Sequence, residues 1–133
     1  MKNYQDNLIY KELSYMLFGL LYEVHNELGR YCNEKQYGDK FEEFLKKNKV
    51  EYQREFILPL SFPSEKMGRN KADFIVDNKI ILEFKNKRRS DRTDYYQLQR
   101  YLRAADKKLG ILVNFRQLNL APKRILNSSK KDY

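Results

Sequence analysis

The stretch from Ala72 to Lys85 reads ADFIVDNKIILEFK. Two β-rich runs flank Asp77 and Asn78, both turn-favouring residues, so the pattern predicts two neighbouring strands. Side chains alternate faces along a strand. Ala72, Phe74 and Val76 therefore alternate with Asp73 and Ile75, and Glu83 and Lys85 point one way while Phe84 points the other. Register then decides what the pair can do. If Val76 faces Ile80 across Asp77, Asn78 and Lys79, Asp73 lies opposite Glu83. A two-residue turn would set Asp73 against Leu82 and throw the two carboxylates onto different faces.

Two adjacent carboxylates suit a hard cation such as Mg²⁺, which retains water and bridges to phosphate. Such an ion lowers the pKa of water and polarises a phosphoryl oxygen. Lys85 could stabilise charge developing on the phosphate. The triad thus has the pattern of a metal-dependent phosphodiesterase site. Asp, Glu and Lys at these spacings also arise by chance on half-solvated strands. The second run, however, is apolar on both faces in its middle, as in a central strand covered on both sides. A carboxylate at the end of such a strand is expensive unless paired or metal-bound.

The chain has 133 residues and a net charge of +9. That length suits one domain, expected over residues 1–126, with 127–133 as a frayed tail. Residues 1–66 hold 10 Lys and Arg against 11 Asp and Glu, and residues 67–133 hold 17 against 7. The basic excess sits in the half that carries the acidic pair. Such a field favours a polyanion, most simply nucleic acid, although basic surfaces are also common in small soluble proteins. Cys32 stands alone, which excludes an internal disulfide and a cysteine-based zinc site and suits a reducing cytoplasm. No apolar run reaches membrane-spanning length, and no signal-peptide core is visible at the start.

Apolar residues keep helical spacing from Leu8 to Leu28, and Gly29 is a natural stop. Gly19 inside this helix could permit close packing. Glu23 reads as solvated, and the lone His25 as structural, since no nucleophile pattern surrounds it. A second helix is expected from about Glu34 to Lys49, with Asn33 as N-cap and Gln36 closing a capping box. Its stripe is Tyr37, Phe41, Phe44 and Leu45. Glu34 falls on the same inward stripe, where an acidic group wants a cation. It also suits the helix dipole as an ordinary first-turn residue.

Val50 to Phe62 reads as a strand, with Pro59 pointing to an edge position or a bulge. Pro63 to Asn70 is a turn-rich basic connection. After Lys85 a basic loop offers Lys87, Arg88, Arg89 and Arg92 to phosphates, or simply a solvated charge run. A third helix is expected at about Thr93–Lys107, capped by Ser90 or Asp91. On it Gln97 and Tyr101 share a face, and Arg100 adds a further basic group for nucleic acid. Gly110 is expected to end the helical region. Strands follow at Ile111–Phe115 and Lys123–Leu126.

In this order the chain resembles the PD-(D/E)XK nuclease superfamily, and within it the small GxxExxY proteins. The resemblance is carried by Glu23–Gly29, Glu34-x-x-Tyr37, Ala72-Asp73-Phe74, Glu83-Phe84-Lys85, Gln97-Leu-Gln-Arg-Tyr101, Gly110–Phe115 and Lys123-Arg-Ile. Two positions depart from it. Tyr31 stands where the family motif has glycine, and Ala72 where the superfamily name has proline.

The resemblance implies an α/β (α+β) restriction-endonuclease-like core, a central mixed sheet flanked by helices in the order α-α-β-β-β-α-β-(β). It implies Mg²⁺ or Mn²⁺, with Asp73, Glu83 and the Phe84 carbonyl as ligands and Glu34 acting through water. Lys85 would orient the attacking water or stabilise the transition state. Gln97 and Tyr101 would position phosphate or neighbouring side chains. We prefer charge stabilisation for Lys85, because a general base at neutral pH needs a depressed pKa. The expected activity is hydrolysis of nucleic acid, most simply DNA. A homodimer would pair two single-strand cuts. The alternative is a catalytically silent binding or assembly module that keeps the fold.

Overall fold

A computed structural model describes residues 9–129. Helix α1 spans Lys11–Leu28 and α2 spans Glu34–Lys47. Strands β1 (Tyr52–Ile57), β2 (Lys71–Val76) and β3 (Ile80–Lys85) follow. Helix α3 (Arg92–Ala105) leads to β4 (Leu109–Asn114) and β5 (Lys123–Leu126). The five strands lie in chain order, with β3–β4 parallel and the other pairs antiparallel. α3 makes the crossover that a parallel pair requires. The sheet is mixed and the fold restriction-endonuclease-like, as expected.

The sheet separates two apolar layers. Leu17, Leu21 and Val24 of α1 and Tyr37, Phe41 and Leu45 of α2 pack on Phe74, Val76, Leu82 and Phe84. Leu98, Tyr101 and Leu102 of α3 pack on Ala72, Ile75 and Ile81. β3 has one apolar face in each layer, so every residue from Ile80 to Phe84 is buried. Ala72 joins the α3 layer with Ile75, not the layer of Phe74 and Val76, so simple alternation fails at Asp73. Opposite that point, Glu55 of β1 has a left-handed φ of 54°.

The helix ends follow their sequences closely. Asn33 accepts from the Gln36 N–H at 2.8 Å and the Asn33 N–H donates to Gln36 Oε1 at 2.9 Å, which completes the capping box. Asp91, rather than Ser90, caps α3 by accepting from the Thr93 N–H at 3.0 Å. α3 stops at Ala105 because Asp106 turns left-handed. Gly110 therefore belongs to β4, where the Leu98 side chain lies in the space a Cβ would need. Gly19 faces solvent, where an added Cβ would meet nothing within 4 Å, and serves no close packing.

Two further expectations are corrected. β1 ends at Ile57, and residues 58–70 form a structured connection closed by the Leu58 N–H donating to the Asn70 carbonyl at 3.0 Å. Asn127 is not frayed. It is fully buried, its amide donates to the Lys107 carbonyl and its N–H to the Lys108 carbonyl, both at 2.9 Å. Residues 130–133 of the expected tail lie outside the described residues, as does Leu8 of the expected first helix. Among the described residues, no helix is long and apolar enough to cross a membrane.

Candidate active site

The β2–β3 hairpin fixes the site. Asp77 and Asn78 both take left-handed φ values of 53°, a conformation that short polar side chains tolerate better than most. Lys79 is left as the odd residue, and the register runs Val76↔Ile80, Ile75↔Ile81, Phe74↔Leu82. Continued by one pair, it sets Asp73 against Glu83. Backbone pairing stops there, and the two carboxylates fill the gap. The Asp73 N–H donates to Glu83 Oε2 at 2.9 Å, and the Phe84 N–H donates to Asp73 Oδ2 at 2.6 Å. Each carboxylate thus takes a backbone donor from the other strand. One oxygen on each, Asp73 Oδ1 and Glu83 Oε1, is left out of this exchange.

Both carboxyls are pushed above their ordinary range. For Glu83, which is 5% exposed, burial is the larger cause and the charge of Asp73 the next, and together they raise it to about 8. Asp73 is raised by burial and by Glu34, against the opposing pull of the Phe84 N–H and Lys85. Two desolvated carboxylates that repel each other are stabilised by a cation between them. The donor set, all oxygen, fits a hard divalent ion. The Phe84 carbonyl shares the strand edge of its N–H, the edge that faces Asp73. Three acidic groups do not converge: among the described residues no cluster of three or more potential ligand side chains is preformed.

Glu34 opens α2 and is exposed, not inward as its spacing predicts. At the first helical turn the stripe has not yet entered the core. It nonetheless borders a cleft of about 210 Å³ that Asp73, Phe84, Glu55 and Arg54 also line. Arg54 is held there by Asp39 at 2.7 Å and Glu42 at 2.9 Å.

Lys85 emerges on the α3 side, where its Nζ donates to Gln97 Oε1 at 3.1 Å. Tyr101, one turn on, is 6% exposed. Burial raises its hydroxyl pKa, and the charge of Glu83 adds to the effect. The structure therefore brings Asp73, Glu83, Lys85, Gln97 and Tyr101 together.

The basic loop divides. Arg88, Arg89 and Arg92 are exposed and carry no ion pair among the described residues. Lys87 instead donates to Asp94 Oδ1 at 3.0 Å, and Lys85 Nζ stands 3.8 Å from the same oxygen. Asp94 is 6% exposed, and its Oδ2 has no hydrogen-bond partner among the described residues. Sequence reading passed over Asp94, which looks like an ordinary first-turn acid. It also passed over Asn114, which accepts from the Lys87 N–H, donates to the Lys87 carbonyl and so shapes the loop. Arg100 points to the other flank of α3 and donates to Asn70 Oδ1 at 3.3 Å.

Tyr37 does more than fill the core. Its hydroxyl donates to the Gly29 carbonyl at 2.6 Å and accepts from the Cys32 N–H at 3.2 Å, pinning the turn that presents Glu34. Tyr31 lies in that turn at 75% exposure between Arg30 and Arg116, without a left-handed φ. The backbone at this position does not require glycine. His25 is a structural tie, its Nε2 2.9 Å from the Gln117 carbonyl.

A mixed five-stranded sheet with an Asp…Glu-x-Lys set at a splayed hairpin end, faced by a Gln-x-x-x-Tyr helix, defines a restriction-endonuclease-like nuclease core. The family model of the PD-(D/E)XK nuclease superfamily matches residues 11–125. The chain belongs to this superfamily. A search of curated proteins and a search of solved structures gave no significant match.

Proposed function

We propose that the protein is a metal-dependent nuclease that hydrolyses phosphodiester bonds of nucleic acid, most simply DNA, and that it belongs among the GxxExxY proteins. The observation that carries this is the exchange of backbone donors between Asp73 and Glu83, which holds two repelling, desolvated carboxylates together where Lys85 emerges. Asp73, Glu83 and the Phe84 carbonyl would hold Mg²⁺ or Mn²⁺. When bound, such an ion supplies Lewis-acid polarisation and a more acidic water. Lys85 places its ammonium where charge develops on the phosphate. Gln97 holds that ammonium in place at 3.1 Å. Tyr101, near enough for the charge of Glu83 to raise its hydroxyl pKa, would position the phosphate or the neighbouring side chains. Arg88, Arg89 and Arg92 take flanking phosphates, whereas Lys87 acts through Asp94.

A second reading keeps nucleic-acid binding and drops catalysis. It is favoured by the exposure of Glu34, which leaves the third acidic group apart from the pair. A cleavage assay on single-stranded, duplex and branched DNA and on RNA, with Mg²⁺, Mn²⁺ or EDTA, separates the two. Cleavage that needs metal and vanishes in Asp73→Asn supports the nuclease. Salt-sensitive binding without cleavage, equal in both proteins, supports the binding module.

A further inference from the structure

The connection between β1 and β2 is longer than two adjacent antiparallel strands need, and it is built. Leu58 is 2% exposed at its base. Glu65 accepts from the Ser61 N–H at 2.8 Å, the Ser61 hydroxyl at 2.7 Å and the Asn70 amide at 2.6 Å. Compact loops of this kind, closed at the base and tied by their own side chains, are frequently functional. Yet this one holds apolar groups out to water: Phe62 is 51% exposed and Leu60 37%.

Against these residues stand Arg100 and Arg103 of α3 and Arg69 of the connection, around a groove of about 770 Å³. Glu65 is the acidic residue in it, and its carboxylate is taken up by the loop. Arg69 and Arg103 make no ion pair among the described residues. The groove adjoins the site along the chain, although no site residue lines it. Arg100 precedes Tyr101, and the Asn70 that holds Arg100 lies three residues before Asp73.

We infer that this groove binds a single strand of nucleic acid and leads it to the Asp73–Glu83 pair. The inference rests on the nuclease reading for the use of the strand, but not for its binding. Arginines along a groove track a phosphate backbone, and an exposed aromatic ring gives a platform for an unpaired base. A duplex offers phosphates to the arginines but keeps its bases stacked and leaves Phe62 and Leu60 unused. The combination of positive charge with exposed apolar surface therefore selects the single strand. A protein partner matched to the arginines alone would leave the same apolar surface wet.

The test is binding of the full chain in EDTA to a labelled oligothymidylate and to a duplex of equal length, by fluorescence anisotropy over a salt series. The single strand is expected to bind tighter at every salt concentration. Phe62→Ala should weaken it by about 5- to 100-fold, the range for losing one base stack. Arg69→Ala with Arg103→Ala should lower the slope of log affinity against log salt by about 1.4, two single-strand phosphate contacts. The protein has no tryptophan, so Phe62→Trp reports from the groove alone, and its fluorescence should be quenched by the oligothymidylate.

Equal or tighter duplex binding, unchanged affinity in Phe62→Ala, or an unquenched Phe62→Trp would overturn the inference. So would a sedimentation change in Phe62→Ala with binding intact, since the patch would then join copies of the chain. Metal-dependent cleavage with an inert groove sinks only this inference. Groove binding without cleavage on any substrate sinks only the nuclease reading.

Discussion

Asp73 and Glu83 sit on adjacent strands and each accepts a hydrogen bond from the backbone of the other's strand, at 2.6 and 2.9 Å. The exchange replaces a rung of the β2–β3 ladder with two carboxylates. It holds two acidic groups together with no salt bridge to either among the described residues.

If this pair is the catalytic centre, Asp73→Asn should abolish metal-dependent cleavage while the fold persists, because the asparagine carbonyl still accepts from Phe84. Lys85→Ala should lower kcat by about 10²- to 10³-fold, the usual loss for one group that stabilises transition-state charge. Gln97→Ala should cost less, since it removes only the group that steadies Lys85. Single-turnover cleavage, with circular dichroism as the control for folding, gives these values.

The raised Glu83 makes stability depend on pH with a definite sign. Its folded pKa of about 8 lies above its ordinary 4.5. Between those values the unfolded chain binds fewer protons than the folded one, so stability falls as pH rises through this window. Glu83→Gln removes the ionisation and should stabilise the protein by roughly 1–3 kcal/mol at alkaline pH, with little effect at pH 4. Urea denaturation at several pH values measures this. A mutant curve parallel to the wild type would show that Glu83 is not the group responsible.

A cation at the pair must displace the proton from Glu83. Mg²⁺ or Mn²⁺ binding should therefore release protons at neutral pH and tighten as pH rises toward 8. Calorimetric titration in two buffers of different ionisation enthalpy should give different apparent heats. At about 100 times Kd the ion should add about 2.7 kcal/mol to stability. Neither effect should survive in Asp73→Asn.

Tyr37→Phe keeps the ring, stacked on Phe115 at 4.2 Å, and deletes the hydroxyl that pins Gly29 and Cys32. The loss should be about 1–3 kcal/mol of stability, since a backbone carbonyl and an N–H lose their partner. If Glu34 takes part in the reaction, cleavage should fall as well, because the same hydroxyl fixes the turn that presents it. Denaturation and cleavage measured on the one variant give both values.

The pattern that placed Asp73, Glu83 and Lys85 together was legible because strand periodicity is two and Asp-Asn marks the turn. Gln97 and Tyr101 were legible because residues four apart share a helix face. What escaped depended on partners distant in sequence. Lys87 reads as a free phosphate binder until Asp94 folds against it. Asn127 reads as tail until the Lys107 and Lys108 carbonyls capture it. Glu34 fits the inward stripe by spacing, but nothing in spacing says where along the helix the core begins. Phe62 reads as the end of a strand, because the shape of its loop comes from Glu65 bonding across it.

The hairpin turn carries a further consequence. Asp73 and Glu83 stand ten positions apart, and Lys79 sets the parity of that interval. Delete Lys79 and every residue of the Asp…Glu-x-Lys signature survives, yet the two acids part to opposite sides of the sheet. In a related chain, the spelling of the motif alone would then mislead. The length of the turn is as much a component of the machinery as the groups it brings face to face.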